Sequence, residues 1–395
     1  MRILAVCHDS VGIGHLRRTL AIAEQAAAGL RDCRVLVASG SLHAGQFALP
    51  ERVDYIKLPA LCKRADRRYA AKSLDVSFAD VISIRSSLLT AAAASYRPDV
   101  LLIDKSPTGV AGEAETALRL VRDRHVATRV IFGMRDIEDD PERTRAEWQR
   151  SRHVESLARL CDEIWVYGDA SVFDVAEAYE LPDEITEKLR YVGYIARRPC
   201  DHGVLPRAAG AARRVLVTVG GGTDGHRLID LYLRDAPHEV GGAPVHTTVI
   251  GGPDLPRDSA EQFRRQAAGL PQVTFDDCRS CMFCEYRQAD LVLCMGGYNT
   301  MIEVLSAERP MLVFPRTEPR REQYMRAERF AALGLCDYLE PDTATPATIR
   351  AAVERLLCCA RPAGRSAINV DGLSCVVERL SELEGTCRDA MAVCV

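Results

Sequence analysis

Leu291-Val292-Leu293-Cys294-Met295-Gly296-Gly297-Tyr298-Asn299-Thr300-Met301-Ile302-Glu303 reads in order as an apolar run, a glycine pair and the opening of a helix. An unbroken apolar run is what a strand buried on both faces requires, and such strands belong to parallel sheets covered by helices. Gly296 and Gly297 allow a backbone to approach an anion closely. The first turn of the helix that follows offers N–H groups without intrahelical partners and a partial positive charge, the physical basis of phosphate binding at helix N-termini. Asn299 and Thr300 add side-chain donors. Glu303 falls about one turn into the helix, where a carboxylate can accept both hydroxyls of a ribose diol. Taken alone, Glu303 fits a solvated helix residue better.

The same strand, glycine turn and helix recur upstream. Residues 215–219 form an apolar run, Gly220-Gly221-Gly222-Thr223-Asp224-Gly225 a turn, and 227–233 an amphipathic stretch. The turn lacks the Gly-Lys-Ser/Thr ending of a Walker A loop, and a purely structural βα turn is its alternative reading. Further strands are expected at 247–250, 273–275 and 311–314. The N-terminal half opens the same way: a strand at 3–6, the turn from Asp9 to His15, and a helix carrying Leu16, Leu20, Ala23 and Ala27 at helical spacing. Strand runs follow at 35–38, 100–103, 130–132 and 163–166. Between the halves the stretch with Pro199, Gly203, Pro206 and Gly210 shows no periodicity and reads as a linker. The expected fold is α/β: two tandem Rossmann-like doubly wound domains facing a central cleft. The expected organisation is residues 1–198, a linker at 199–213, a second domain at 214–370, and a C-terminal helix and tail at 371–395 that packs back on the first domain. Ligands of open α/β sheets bind beyond the carboxyl ends of the strands, so both glycine turns are expected to open onto that cleft.

Bulk composition agrees with a two-domain enzyme. The chain has 395 residues, 47% of them hydrophobic, more than one core usually accommodates. A net charge of −4 provides no basic field for nucleic acid. No window approaches ~18 uninterrupted apolar residues, and the apolar run at 3–6 is too short for a signal peptide, so the expected location is cytoplasmic. The 15 cysteines are expected to be reduced thiols. Cys278, Cys281 and Cys284 have the close spacing that a thiolate metal or iron–sulfur site favours. No fourth ligand is nearby in sequence, so they are expected to be unligated. Cys358, Cys359 and Cys394 carry no motif.

The 295–303 segment resembles the nucleotide-sugar motif of UDP-dependent glycosyltransferases with the GT-B fold. In plant members this motif reads His-Cys-Gly-Trp-Asn-Ser-x-x-Glu, and Gly297, Tyr298, Asn299, Thr300 and Glu303 fall in register with it. Downstream, Glu322-Gln323-Tyr324-Met325-Arg326-Ala327 is similar to the acid-Gln-x-x-Asn-Ala element of the same superfamily. Pro315 falls where the family has a proline after the intervening strand. The overall likeness is nearest to the bacterial peptidoglycan-lipid N-acetylglucosaminyltransferase-like glycosyltransferases. The resemblance implies a nucleotide-sugar donor, UDP-linked, and no other cofactor. Glu303 would hold the ribose, and Glu322 with Gln323 the hydroxyls of the donor sugar. Backbone at Gly221 and Gly222, the Thr223 side chain, and Gly297, Asn299 and Thr300 would meet the diphosphate end. Met295 departs from a phosphate-binding His and Arg326 from the usual Asn, which leaves the sugar open and makes Arg326 a candidate contact for phosphate or a sugar carboxylate.

Gly14-His15-Leu16 resembles the Gly-His element of the superfamily, with His15 as general base. At a helix N-terminus the imidazole pKa is lowered and the neutral, proton-accepting form favoured. His8, on the same turn, is a competing candidate, and either could simply cap or pack. The resemblance implies an Asp partner at a strand end, which here is Asp104; a solvated loop Asp is the alternative. Lys105 could balance its charge, and Arg135-Asp136 could line the acceptor site. Arg64, Arg67 and Arg68 read as acceptor contacts or a solvated loop. The implied reaction is inverting transfer of a sugar to a hydroxyl or amine of a small-molecule or lipid acceptor. It is expected to be metal-independent, because no Asp-x-Asp motif stands in a suitable place. A lipid acceptor would allow peripheral membrane contact without a transmembrane segment. A sugar-nucleotide 2-epimerase of the same fold and a non-catalytic auxiliary protein are the alternatives.

Overall fold

The computed structural model describes residues 1–8, 13–63, 69–125, 127–197, 200, 211–358 and 368–393, with side chains to 385. Residues 9–12 of the first glycine turn, Arg64, Arg67, Arg68, most of the 199–213 linker, Cys359 and Cys394 lie outside the described residues. The chain divides into two compact units. One comprises Met1–Asp136, Pro141–Ile195 and Asp371–Val395; the other comprises Ile137–Asp140 and Ala196–Val370.

The first unit carries strands β1 (Arg2–Val6), β2 (Arg34–Ser39), β3 (Val53–Lys57), β4 (Leu61–Lys63), β5 (Tyr69–Ala71), β6 (Val100–Asp104), β7 (Arg129–Arg135), β8 (Glu163–Tyr167) and β9 (Leu189–Tyr191). Its helices are α1 (Gly14–Gly29), α2 (Phe78–Tyr96), α3 (Glu115–Arg124), α4 (Pro141–Arg150), α5 (His153–Leu160), α6 (Val175–Ala178) and α7 (Asp183–Thr186). Seven strands form one sheet in the order β3-β2-β1-β6-β7-β8-β9, all paired in parallel. The order reverses between β1 and β6, so the switch point of this sheet lies at their carboxyl ends. β6 is buried at all five positions, as the run Val-Leu-Leu-Ile-Asp leads one to expect except at its last residue.

The second unit repeats the plan with β10 (Arg213–Thr218), β11 (Glu239–Val240), β12 (Ala243–Ile250), β13 (Val273–Asp276), β14 (Leu291–Cys294), β15 (Met311–Val313) and β16 (Asp337–Tyr338). Helices α8 (His226–Arg234), α9 (Arg257–Ala268), α10 (Met282–Gln288), α11 (Tyr298–Ser306), α12 (Glu322–Ala332) and α13 (Pro346–Cys358) cover it. The parallel strands run β13-β12-β10-β14-β15-β16, with β11 antiparallel on β12. Here the order reverses between β10 and β14. Their registers match Thr218 to Cys294, so the two glycine turns leave the sheet side by side. Val215, Val217, Leu291 and Leu293 point into a core closed by Leu228, Phe263 and Val353. Fully burying a side chain of this size contributes roughly 1.5–3 kcal/mol, which is why strand positions at both turns are fixed.

The last helix, α14 (Gly372–Val393), belongs to the first unit and packs on α1. It fills most of the 371–395 stretch expected to hold a C-terminal helix and tail. Val376, Leu380 and Leu383 are buried on it. Among the described residues, no helix is long and apolar enough to cross a membrane.

Candidate active site

In the first unit the sequence brings a histidine and a carboxylate to the switch point. β1 feeds α1, whose second residue is His15, and β6 ends on Asp104. His15 Nδ1 lies 2.5 Å from Asp104 Oδ2. A terminal guanidinium nitrogen of Arg18, one helical turn on, donates to Asp104 Oδ1 at 2.5 Å. That nitrogen also lies 3.0 Å from His15 Nδ1. An ionised Asp104 accepts from Nδ1, so Nδ1 carries the proton and its contact with Arg18 is an approach of two donors, not a hydrogen bond. The lone pair is then on Nε2, the arrangement of a base oriented by a buried acid.

The electrostatics fix that tautomer. The Asp104 side chain is 4% exposed and that of His15 15%. Burial alone would raise Asp104, but the Arg18 guanidinium and then His15 outweigh it and hold the carboxyl well below its usual range. Burial pushes the His15 imidazole down to about 4; Asp104 opposes this, while Arg18 and Lys105 reinforce it. The direction matches the sequence expectation, but the leading cause is desolvation, not the helix terminus. Arg18 is itself buried, with its guanidinium carbon 4.8 Å from the Tyr167 ring centroid. Lys105 adopts φ 66°, and the Ser106 N–H donates to the Asp104 carbonyl at 2.8 Å. A left-handed non-glycine residue costs about 1–2 kcal/mol, and here it bends the chain immediately after the carboxylate.

His8 packs edge-on to the His15 ring at 5.3 Å, so the Asp104 contact belongs to His15. Asp136, expected at an acceptor site, is instead fully buried and accepts from the Tyr194 hydroxyl at 2.6 Å. It is an internal anchor because burying a carboxylate requires such partners.

In the second unit the two glycine turns lie together: a Cβ on Gly220 would come within 3.6 Å of Thr300 Oγ1. Gly220, Gly222 and Gly225 stand at Gly-x-Gly-x-x-Gly spacing. Gly222 is buried at φ 103°, its N–H closes the turn on Val219, and a Cβ there would meet the Gly251 oxygen at 2.5 Å. Gly222 therefore serves the turn itself, whereas Gly221 is half-buried and Thr223 exposed. The second turn divides its labour similarly. A Cβ on Gly296 would lie 2.8 Å from the Gln323 carbonyl oxygen, while one on Gly297 would meet nothing within 4 Å. Gly296 lets α12 pack close; Gly297 leaves the start of α11 open. Gly297 is the N-cap residue and no side chain caps the helix. Asn299 and Thr300 are half-buried beside it.

Two buried acids complete the group. Glu303 is 4% exposed and its Oε1 accepts from Arg197 Nε at 2.6 Å. Glu322 is equally buried, and Arg316 donates to its Oε1 at 2.5 Å. Arg316 also donates to Asp224 in the 220–225 glycine turn, and its backbone N–H donates to Gln323 Oε1 at 3.3 Å. Glu322 Oε2 and Arg316 Nε are buried and have no hydrogen-bond partner among the described residues. A buried polar atom left so costs about 1–3 kcal/mol, so the pair is suited to a polar ligand. Arg326, a candidate phosphate or carboxylate contact, is turned inward: it is fully buried, donates to the Gly296 and Ile137 carbonyls, and lies 5.5 Å from the Tyr298 ring centroid. Met295 is part of the hydrophobic core.

Residues 215–365 match the glycosyltransferase family 28 C-terminal domain. A 141-residue stretch, 36% of this chain, is 26% identical to the UDP-N-acetylglucosamine--N-acetylmuramyl-(pentapeptide) pyrophosphoryl-undecaprenol N-acetylglucosamine transferase of Glaesserella parasuis serovar 5 (strain SH0165). That stretch spans 39% of the relative's length. Among solved structures, Acinetobacter baumannii MurG superposes with a TM-score of 0.60 at 15% identity, covering 97% of this chain and 100% of that one. The UDP-GlcNAc 2-epimerase from Neisseria meningitidis bound to UDP-GlcNAc does so with a TM-score of 0.55 at 13% identity, covering 97% and 100%. Residues 215–365 thus match the glycosyltransferase family 28 C-terminal domain, in a chain with the GT-B fold.

Proposed function

We propose that this protein is an enzyme that transfers a hexose-type sugar from a UDP-sugar to a hydroxyl or amine of a small-molecule or lipid acceptor. The transfer inverts the anomeric centre and uses no metal ion. The observation that carries the donor half is the buried pair Glu322 Oε2 and Arg316 Nε, poised for a polar ligand beside two open glycine turns. Glu303 accepts the ribose hydroxyls. Glu322 and Gln323 take hydroxyls of the sugar. Gly221, Thr223, Gly297, Asn299 and Thr300 supply donors to the diphosphate, with Gly222 shaping the turn that presents them. The α11 N-terminus stabilises negative charge as the nucleoside diphosphate leaves, a task often given to a cation.

The acceptor half is supported by the His15–Asp104 contact of 2.5 Å. The acceptor oxygen or nitrogen attacks the anomeric carbon while its proton passes to His15 Nε2. Asp104 stabilises the imidazolium as it forms. Arg18 keeps Asp104 ionised and in place.

The test is an assay of UDP-sugars with an acceptor library, read by product mass spectrometry, alongside each UDP-sugar alone followed by NMR. The reading expects acceptor-dependent release of UDP. The epimerase among the structural neighbours marks the rival outcome: epimerisation of a UDP-sugar without acceptor would overturn the transferase reading. Absence of any nucleoside diphosphate binding by calorimetry would favour a non-catalytic role.

A further inference from the structure

The sequence leaves Cys281 and Cys284 without enough partners nearby, but the fold adds one from 84 positions away. Cys200 Sγ lies 3.1 Å from Cys284 Sγ. With Cys281, the three sulfurs all fall within 4.8 Å of one another, and all three residues are half-buried. Cys281 is the residue preceding α10 and Cys284 lies in its first turn, so the two-residue spacing presents both from one end of that helix. Cys278, three residues earlier, is exposed and outside the group.

The spacing suits a metal better than a disulfide. A metal–sulfur distance of about 2.3 Å in tetrahedral geometry places sulfurs about 3.8 Å apart, within the observed span. A disulfide would occupy only two of the three sulfurs, at about 2.05 Å.

We propose that Cys200, Cys281 and Cys284 form a three-thiolate binding site for a soft divalent cation of the zinc class. On binding, each thiol gives its proton to solvent and three metal–sulfur bonds form, with no change in oxidation state; water takes the fourth position. The bound ion pins the chain at Cys200 to α10. Arg197, which holds Glu303, lies three residues away on the same segment. The site is therefore a brace beside the donor carboxylate and takes no part in sugar transfer. It stands whether or not the protein is a glycosyltransferase.

Cobalt(II) is the probe, added to full-length protein freed of metal with a chelator under a thiol reductant. One equivalent per chain should give the intense near-ultraviolet thiolate-to-cobalt charge-transfer band, and zinc should displace it. Cys200→Ser, Cys281→Ser and Cys284→Ser should each weaken binding by at least about tenfold, since lost outer-shell partners alone cost 10–100-fold. Cys358→Ser, an exposed cysteine outside the cluster, should leave it unchanged. Peptide mass spectrometry of the unmutated protein after alkylation gives a second reading: zinc should protect Cys200, Cys281 and Cys284 and not Cys358. No charge-transfer band together with no protection overturns the site, as does recovery of a Cys200–Cys284 disulfide from reducing buffer.

Discussion

At the scale of single residues, the site rests on charges taken out of water and made to hold one another. With its pKa near 4, His15 is neutral throughout the physiological range. The acid limb of kcat/KM should therefore fall near pH 4 and not near the ordinary imidazole value of about 6.5. Arg18 contributes to that depression, so Arg18→Met should move the limb upward. A limb already near 6.5 in the unmutated protein would remove His15 as the base. His15→Ala should lower kcat by about 10²–10⁴-fold with UDP affinity kept, as calorimetry would measure. Glu303→Ala should act in the opposite sense: charge-assisted hydrogen bonds contribute about 1.5–3 kcal/mol, so UDP binding weakens roughly tenfold to a hundredfold. Glu322→Gln separates sugar from nucleotide, weakening a UDP-sugar while sparing UDP. The sequence puts forward His15, Glu303, Glu322 and Gln323 by their place in motifs of fixed spacing, and Asp104 by its place at a strand end. It does not put forward Arg18, Arg197 or Arg316. Arg18 stands three residues after His15 in a helix, a spacing that places both on one face, and that signal was available. Arg316 follows a strand end, where ligands gather, but an arginine there is common. Arg197 falls in a stretch with no periodicity, and only the fold brings it to Glu303.

At the scale of elements, each βα unit follows from its apolar run. Four-residue β14 is buried throughout, and its glycine pair serves two purposes that the letters alone do not separate. Gly296 permits α12 to close on the turn; Gly297 leaves α11 open. Gly296→Ala would drive a methyl to 2.8 Å from the Gln323 carbonyl oxygen and 2.9 Å from its Cβ. Overpacking of this kind costs typically about 1–3 kcal/mol, and it should also displace Gln323 and weaken UDP-sugar binding. Gly297→Ala should be nearly neutral for stability in urea titrations, because nothing lies within 4 Å of its added carbon. Equal losses of stability for the two would contradict this division. Burial of Arg326 shows where reading letters fails: its place in a ligand motif makes it a candidate contact for phosphate or a sugar carboxylate. With its guanidinium over Tyr298 and its donors on two carbonyls, it instead ties α12 to the α11 turn and to the 137–140 segment.

At the scale of the whole molecule, the chain crosses between units more than once. Four residues, Ile137–Asp140, belong with the second unit, while Asp371–Val395 returns to the first. The sequence leads to a C-terminal helix within 371–395 that packs on the first domain, but not to the residues it meets there. In the fold, Gly29 of α1 meets Val377, where a Cβ would lie 2.8 Å from the valine Cγ1. Arg379 donates to Glu163 at the start of β8, and Val376, Leu380 and Leu383 are buried. Removing α14 would expose those aliphatic contacts and leave Glu163, 8% exposed, without its arginine. Truncating a single buried leucine costs about 2–5 kcal/mol, and whole domains are stable by only about 5–15 kcal/mol. Leu380→Ala in the full chain should therefore lower the unfolding midpoint clearly. Residues 1–195 expressed alone should be unfolded or aggregated, and the same segment joined by a flexible linker to 371–395 should recover cooperative unfolding by circular dichroism. A stable, cooperatively folded 1–195 fragment would show that α14 is an appendage and that the first unit closes its core without it.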